Sequence, residues 1–160
     1  MGKCHALNQN PCLFQVSLKA LLVNNQGQYL ILKDNSTSKH WKNKFDLPGG
    51  RINQDELKLG WHKLIDREIK EELGKNIKYK LRPDPVALAK CQYPNEPCKI
   101  FILFEAKYLS GKIKISDEHD FYRWEKISQS KAKKLFSSVL SELLLNYLAW
   151  NKNIINKYSD

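Results

Sequence analysis

The stretch Gly60-Trp61-His62-Lys63-Leu64-Ile65-Asp66-Arg67-Glu68-Ile69-Lys70-Glu71-Glu72-Leu73-Gly74 decides how the chain folds. Trp61, Leu64, Ile65, Ile69 and Leu73 recur at helical spacing, and Gly74 follows as a C-terminal cap. A helix is therefore expected from about Gly60 to Leu73. Its apolar stripe has to be buried against another layer.

The sequence on either side supplies that layer. Upstream, Phe14, Val16, Leu18, Ala20 and Leu22 alternate with Gln15, Ser17 and Lys19, the period of a half-buried strand. Asn24-Asn25-Gln26-Gly27 has turn chemistry and Tyr29 to Leu32 is rich in β-formers, so the two runs are expected to pair as a hairpin. Lys33 to Lys44 is polar and reads as a surface loop. In Trp41 to Gly50 the residues Pro48, Gly49 and Gly50 argue against regular structure and predict a tightly shaped loop.

Downstream, Pro83 and Pro85 precede a β-like run at Val86 to Tyr93, and Ile100 to Tyr108 is apolar enough to be a central strand. From Lys131 to about Trp150, Leu135, Val139, Leu140, Leu143, Leu144, Tyr147 and Leu148 form one helical stripe, which predicts a single long helix. Strands, a helix, more strands and a closing helix, without repeats or a linker, predict one α/β domain over residues 1–160 with its core at about 13–150. The architecture expected is an α/β/α sandwich, a mixed β-sheet held between helices.

Size and composition agree with a globular domain. Hydrophobic residues make up 42% of the 160 and charged residues 28%, far from disordered or membrane compositions. The formal charge of +10 favours anionic partners, with phosphates and nucleic acid among them. Cys4, Cys12, Cys91 and Cys98 fit neither a zinc knuckle nor a redox pair and read as reduced thiols; a site combining Cys4, His5, Cys91 and Cys98 is the alternative, and no metal is assigned to it. Gly2 lies where a myristoylation signal has its glycine, but Ala6 stands where that signal needs Ser or Thr. No apolar run reaches the roughly 18 residues of a membrane span and no secretory signal is evident, so the expected location is the cytoplasm, away from membranes.

Glu68, Glu71 and Glu72 stand at i, i+3 and i+4, and at about 100° per residue they share one helix face. Like charges at that spacing cost a helix roughly a few tenths of a kcal/mol per pair. A divalent cation removes that cost, and carboxylate oxygens suit Mg²⁺ or Mn²⁺. By itself a Glu-rich helix face is more often solvated surface.

The preceding Leu47-Pro48-Gly49-Gly50 loop changes that balance. Together with Arg67-Glu68-Ile69-Lys70-Glu71-Glu72-Leu73-Gly74 it resembles the signature of the Nudix (MutT-like) hydrolases: a Gly, a Glu six positions on, then Arg-Glu-aliphatic-x-Glu-Glu-x-Gly. The order of strands and helices also resembles that family's domain across nearly the whole chain. The resemblance implies that Glu71 and Glu72 hold the metal and that Glu68 binds a metal or acts as base toward the attacking water. It also implies that Arg67 orients these acids through salt bridges and that the Gly49 carbonyl completes the coordination. Members often add an acid from a later loop; in Ser116-Asp117-Glu118-His119-Asp120 that role falls to Glu118, with Asp117 and Asp120 as substitutes and His119 as a structural neighbour.

Two departures from the pattern bear on the site. Counted from Gly50 the sixth residue is Glu56, yet Arg67 comes three positions later than the family spacing, so Glu56 reaches the site only if an inserted loop folds back. Lys75 stands where an aliphatic residue usually follows the final Gly, a change expected to alter the entry into the next strand and not the chemistry.

The resemblance implies a metal-dependent hydrolase of the diphosphate in a nucleoside diphosphate linked to another group, such as a nucleoside triphosphate, an ADP-ribose-like compound or a dinucleoside polyphosphate. Arg51, Trp41, Tyr93 and Tyr122 are candidates for stacking on a base or pairing with phosphate. Many relatives pair, which leaves a homodimer open. Two other readings compete: a nucleotide- or RNA-binding module without turnover, and an isomerase of an isoprenoid diphosphate. The retained Glu68, Glu71 and Glu72 argue against the first, and no dedicated Cys and His pairing is evident for the second.

Overall fold

The computed structural model describes residues 13–35 and 42–157, with side chains as far as 152. Trp41, His5, Cys4 and Cys12 lie outside the described residues. The described residues form seven strands and three α-helices, in the order β1 (Phe14–Val23), β2 (Tyr29–Asp34), β3 (Phe45–Asp46), α1 (Trp61–Leu73), β4 (Lys78–Leu81), β5 (Ala87–Cys91), β6 (Cys98–Ser110), β7 (His119–Glu125), α2 (Gln129–Leu135) and α3 (Ser138–Lys157). The sheet runs β3-β2-β1-β6-β4, with β5 also on β6 and β7 also on β2. It is mixed, because β1 and β6 are parallel over ten residue pairs from Phe14↔Cys98 to Val23↔Lys107, while the other pairs are antiparallel.

The α/β/α sandwich follows from the alternation in β1. Leu18, Ala20 and Leu22 join a core with Leu64, Ile65, Ile69 and Leu73 of α1. Leu21 faces the other way, into a core with Val139, Leu140, Leu143 and Leu144 of α3. Burial of each such aliphatic side chain contributes about 1.5–3 kcal/mol, so the two sandwiched cores dominate the stability.

Three expectations need correction. The single helix from Lys131 to Trp150 is two helices, because Phe136 breaks out into extended backbone (φ −106°, ψ 163°). Phe136 is buried and its backbone bridges Phe45, so packing overrides the helical stripe that continues across the break. Regular structure also enters the Pro- and Gly-containing segment, as the short β3. Finally, β1 and β2 meet across the expected turn, which Asn24 organises by accepting from the Gln26 and Gln28 amides, but their named register is Val23↔Tyr29 alone.

That narrow pairing positions the site. Along the edge of β1 that faces β2, the glycine loop is inserted: the amides of Leu18 and Ala20 donate to the carbonyls of Gly50 (2.9 Å) and Pro48 (2.7 Å), and the Ile52 amide donates to Val16 (2.9 Å). Among the described residues no helix is long and apolar enough to cross a membrane.

Candidate active site

Gly49 and Gly50 let the loop pass between β1 and α1. Gly49 has φ +130°, a region that L side chains resist, and a Cβ there would overlap the Leu18 carbonyl. A Cβ on Gly50 would instead run into the Glu68 carboxylate. The Gly49 amide donates to Glu72 Oε2 at 3.1 Å. The loop thus presses on the same face of α1 that carries Glu68 and Glu72.

The three helical acids are not equivalent. Glu68 and Glu72 are buried against the loop, whereas the Glu71 side chain is 58% exposed at the rim. Arg67 ties them together: its guanidinium pairs with Glu68 and Glu71, each at 2.7 Å, and with Glu56 Oε1, also at 2.7 Å. The inserted loop therefore does fold back. Residues Gln54–Glu56 form a short 3-10 turn in which Glu56 accepts from the Asn53 amide at 2.9 Å, and this aims the carboxylate at Arg67.

A second approach comes from the C-terminal end of α1. The amides of Lys114 and Ser116 donate to the carbonyls of Leu73 (2.9 Å) and Glu72 (3.0 Å), and Asn35 holds the next turn through the Asp117 carbonyl. These bonds carry Glu118 and His119 to the helix. His119 Nε2 lies 3.5 Å from Glu72 Oε2, and ligand atoms of Glu72, Glu118 and His119 all fall within 4.8 Å of one another. Neither ring nitrogen of His119 has a hydrogen-bond partner, although its side chain is only 5% exposed.

The acids open onto a polar cleft of about 500 Å³, lined also by Asp34, Asn35, Asp46, Gly49, Arg51 and Asn53. Arg51 sits at its edge, exposed, with its backbone bridged to Ser17. Tyr122 lies on β7 opposite Leu32 and, like Tyr93, is not among the cleft-lining residues. Cys91 ends β5 and Cys98 begins β6; neither is in a disulfide, and neither is among the cleft-lining residues.

Beneath the loop is a residue that the alternation in β1 had placed on a polar face. Lys19 is buried, and its ammonium donates to Asp46 (2.8 Å), the Gly49 carbonyl (2.8 Å) and the Leu47 carbonyl (3.1 Å). Burial disfavours its charge, but Asp46, Glu72 and Glu68 outweigh this and raise its pKa, so it stays an ammonium. A lone Lys inside Leu18-Lys19-Ala20-Leu21-Leu22 was the available signal. Burial also raises the pKa of Glu68; Arg67 opposes the rise and Glu72 adds to it. His119 is raised as well, its burial outweighed by Glu72 and Asp46.

Such a concentration of carboxylates, braced by one arginine and one buried lysine, suits a divalent cation, and the orphaned His119 nitrogens show donor capacity that the protein itself leaves unused. The family model described as the NUDIX domain matches residues 13–145. The chain belongs to the Nudix family. Nudix hydrolases act on phosphorus-containing anhydrides, generally with divalent metals, and this Nudix chain is a hydrolase of that kind.

Solved structures agree on the fold. A MutT protein from Methanosarcina mazei is 26% identical with a TM-score of 0.71, over 90% of this chain and 99% of that one. An Ap4A hydrolase from C. elegans is 15% identical with a TM-score of 0.61, over 86% and 98%. An ADP-ribose pyrophosphatase from Streptococcus suis is 14% identical with a TM-score of 0.57, over 84% and 90%. No curated protein sequence matches the chain.

Proposed function

We propose that this Nudix hydrolase cleaves the diphosphate linkage of a nucleoside diphosphate joined to a further group, with Mg²⁺ or Mn²⁺. The observation that carries the reading is the convergence of Glu68, Glu71 and Glu72 from α1 with Glu118 from the turn before β7 on one polar cleft, with Arg67 bracing Glu68, Glu71 and Glu56. The compounds named for the C. elegans and S. suis structures, Ap4A and ADP-ribose, share that linkage and differ beyond it, which supports the linkage as the substrate class.

In this reading Glu68, Glu71, Glu72, Glu118 and the Gly49 carbonyl hold the cation. The bound ion supplies charge neutralisation at the diphosphate and acidifies water. Glu68 takes the proton of the attacking water: it is buried at the cleft, and Arg67 fixes one of its oxygens at 2.7 Å. Lys19 holds the Gly49 carbonyl at 2.8 Å and so keeps the loop against the helix. Arg51, an exposed cleft-lining residue, pairs with a substrate phosphate in this reading.

The test is a panel of nucleoside diphosphate derivatives with Mg²⁺ or Mn²⁺, comparing native protein with Glu71→Gln and Glu72→Gln. Phosphate-product release should fall in both variants by more than the roughly 10–100-fold that loss of an outer-shell partner costs. Equal release from all three proteins would overturn the metal assignment.

A further inference from the structure

His119 opens β7, in register with Asp34, and is held there by its amide bond to the Ser116 carbonyl at 3.3 Å. Its imidazole is enclosed, yet both nitrogens lack hydrogen-bond partners. Buried polar atoms of folded proteins nearly always find partners, and an exception points to a ligand or an ion that completes the site. The carboxylates of Glu72 from α1 and of Glu118 stand beside this ring, and Asp46 from β3 and the Lys19 ammonium act on it electrostatically with opposite signs. A structural histidine in such company would donate to the nearest carboxylate. Here Nε2 stops 3.5 Å short of Glu72 Oε2, outside good hydrogen-bond length.

The spacing fits a shared cation better. Ligand atoms of Glu72, Glu118 and His119 lie within 4.8 Å of one another. Two opposed ligands around one ion with ~2.1 Å bonds stand about 4.2 Å apart, so a small closure brings all three donors into one coordination sphere. Building on the reading of this cleft as the hydrolase's metal centre, we propose that His119 Nε2 is a nitrogen ligand of the catalytic cation and biases the site toward Co²⁺ or Zn²⁺ over Mg²⁺. The chemical reason is ligand softness: an all-oxygen set suits Mg²⁺, whereas imidazole favours the later divalent ions.

The competing role is purely orienting, with His119 donating to Glu72 while the cation touches oxygens alone. Pulsed electron paramagnetic resonance of the full chain loaded with Mn²⁺ separates the two. The expected result is a ¹⁴N coupling of a coordinated imidazole, converted to the ¹⁵N pattern when the protein is grown on ¹⁵N-histidine and lost in His119→Gln. In calorimetric titrations His119→Gln should weaken Co²⁺ binding by about 10-fold or more and Mg²⁺ binding by less than about 3-fold.

Mn²⁺ bound without nitrogen coupling overturns the assignment, as does equal weakening of Co²⁺ and Mg²⁺ in His119→Gln. If Glu72→Gln still abolishes Mn²⁺ binding in that event, the carboxylate centre stands and only the histidine fails. A native protein that binds no Mn²⁺ overturns both. The chain has four histidines, of which His62 has its Nε2 2.9 Å from the Pro83 carbonyl. The isotope comparison repeated on His5→Gln and His40→Gln therefore assigns the coupling even where His119→Gln does not fold: retained coupling in both leaves His119, and its loss in either overturns the assignment.

Discussion

Gly49 and Gly50 stand side by side, yet they resist a side chain for different reasons. At Gly49 the obstacle is backbone, the Leu18 carbonyl, and φ is +130°. Alanine there has no way to relax, and Gly49→Ala should lose about 2 kcal/mol or more in denaturant unfolding. At Gly50 the obstacle is the end of a side chain, the Glu68 carboxylate, which can swing aside. Gly50→Ala should therefore fold with a stability change within about 1 kcal/mol, while a carboxylate displaced by ~1 Å lowers kcat/KM roughly 100-fold. Unfolding curves and steady-state kinetics on the two variants check the contrast. Unchanged kcat/KM in Gly50→Ala would remove Glu68 from the role of base.

The contact between α1 and β4 depends on Asp66, which accepts from the Tyr79 hydroxyl at 2.6 Å and pairs with Lys70 at 2.5 Å. Burial by itself pushes the Asp66 pKa up, but Lys70 and Tyr79 outweigh it and hold the folded value below the ordinary one. A depressed folded pKa gives stability that is present above the unfolded pKa of about 3.9 and is lost as pH falls through the folded value. The side chain is 42% exposed, so solvent reduces the effect. Calorimetry should find native protein melting above Asp66→Asn near neutral pH, with the gap shrinking below about pH 4. A gap independent of pH would assign it to packing. At the other face, Phe136 is 1% exposed at the break between α2 and α3, and Phe136→Ala should cost about 3–5 kcal/mol in denaturant unfolding.

Elements were legible in the sequence where the pattern was local. The α1 stripe from Leu64 to Leu73, its Gly74 cap and the Asn24 turn each fall within a few residues and appear as read, whereas Trp61, counted in the stripe, is half exposed. The α2–α3 break was not legible, since Leu135 and Val139 keep helical phase across it and the deciding contact is with Phe45, far away in sequence. The splaying of β1 from β2 likewise depends on bonds between Leu18 and Gly50 that no local pattern encodes. In the site, spacing identified the helical acids but could not place Glu56, because Arg67 recruits it across the inserted loop. Lys19 was hidden for the converse reason: alternation assigns it to a polar face, and only the fold shows that this face is buried beneath the loop.

Across the molecule as a whole, a chain of formal charge +10 folds around a cleft that gathers Glu68, Glu71, Glu72, Glu118, Asp34 and Asp46. The outer field draws polyanions in, and the cleft repels them until its acids are neutralised. Cation binding should therefore be coupled to folding as well as to substrate. The unfolded chain disperses these acids and has no such site, so at 100 times its Kd a divalent ion adds about 2.7 kcal/mol to the native state. For a chain of this size that is a rise in Tm of roughly 5–10 °C. Scanning calorimetry with Mg²⁺ or Mn²⁺, reversed by a chelator, measures it, and Glu72→Gln should lose most of the rise. A control with monovalent salt at matched ionic strength separates site binding from screening, because screening acts on all the acids alike. If that control reproduces the shift, or Glu72→Gln keeps it whole, the cleft is an acidic surface relieved by salt and not a metal centre.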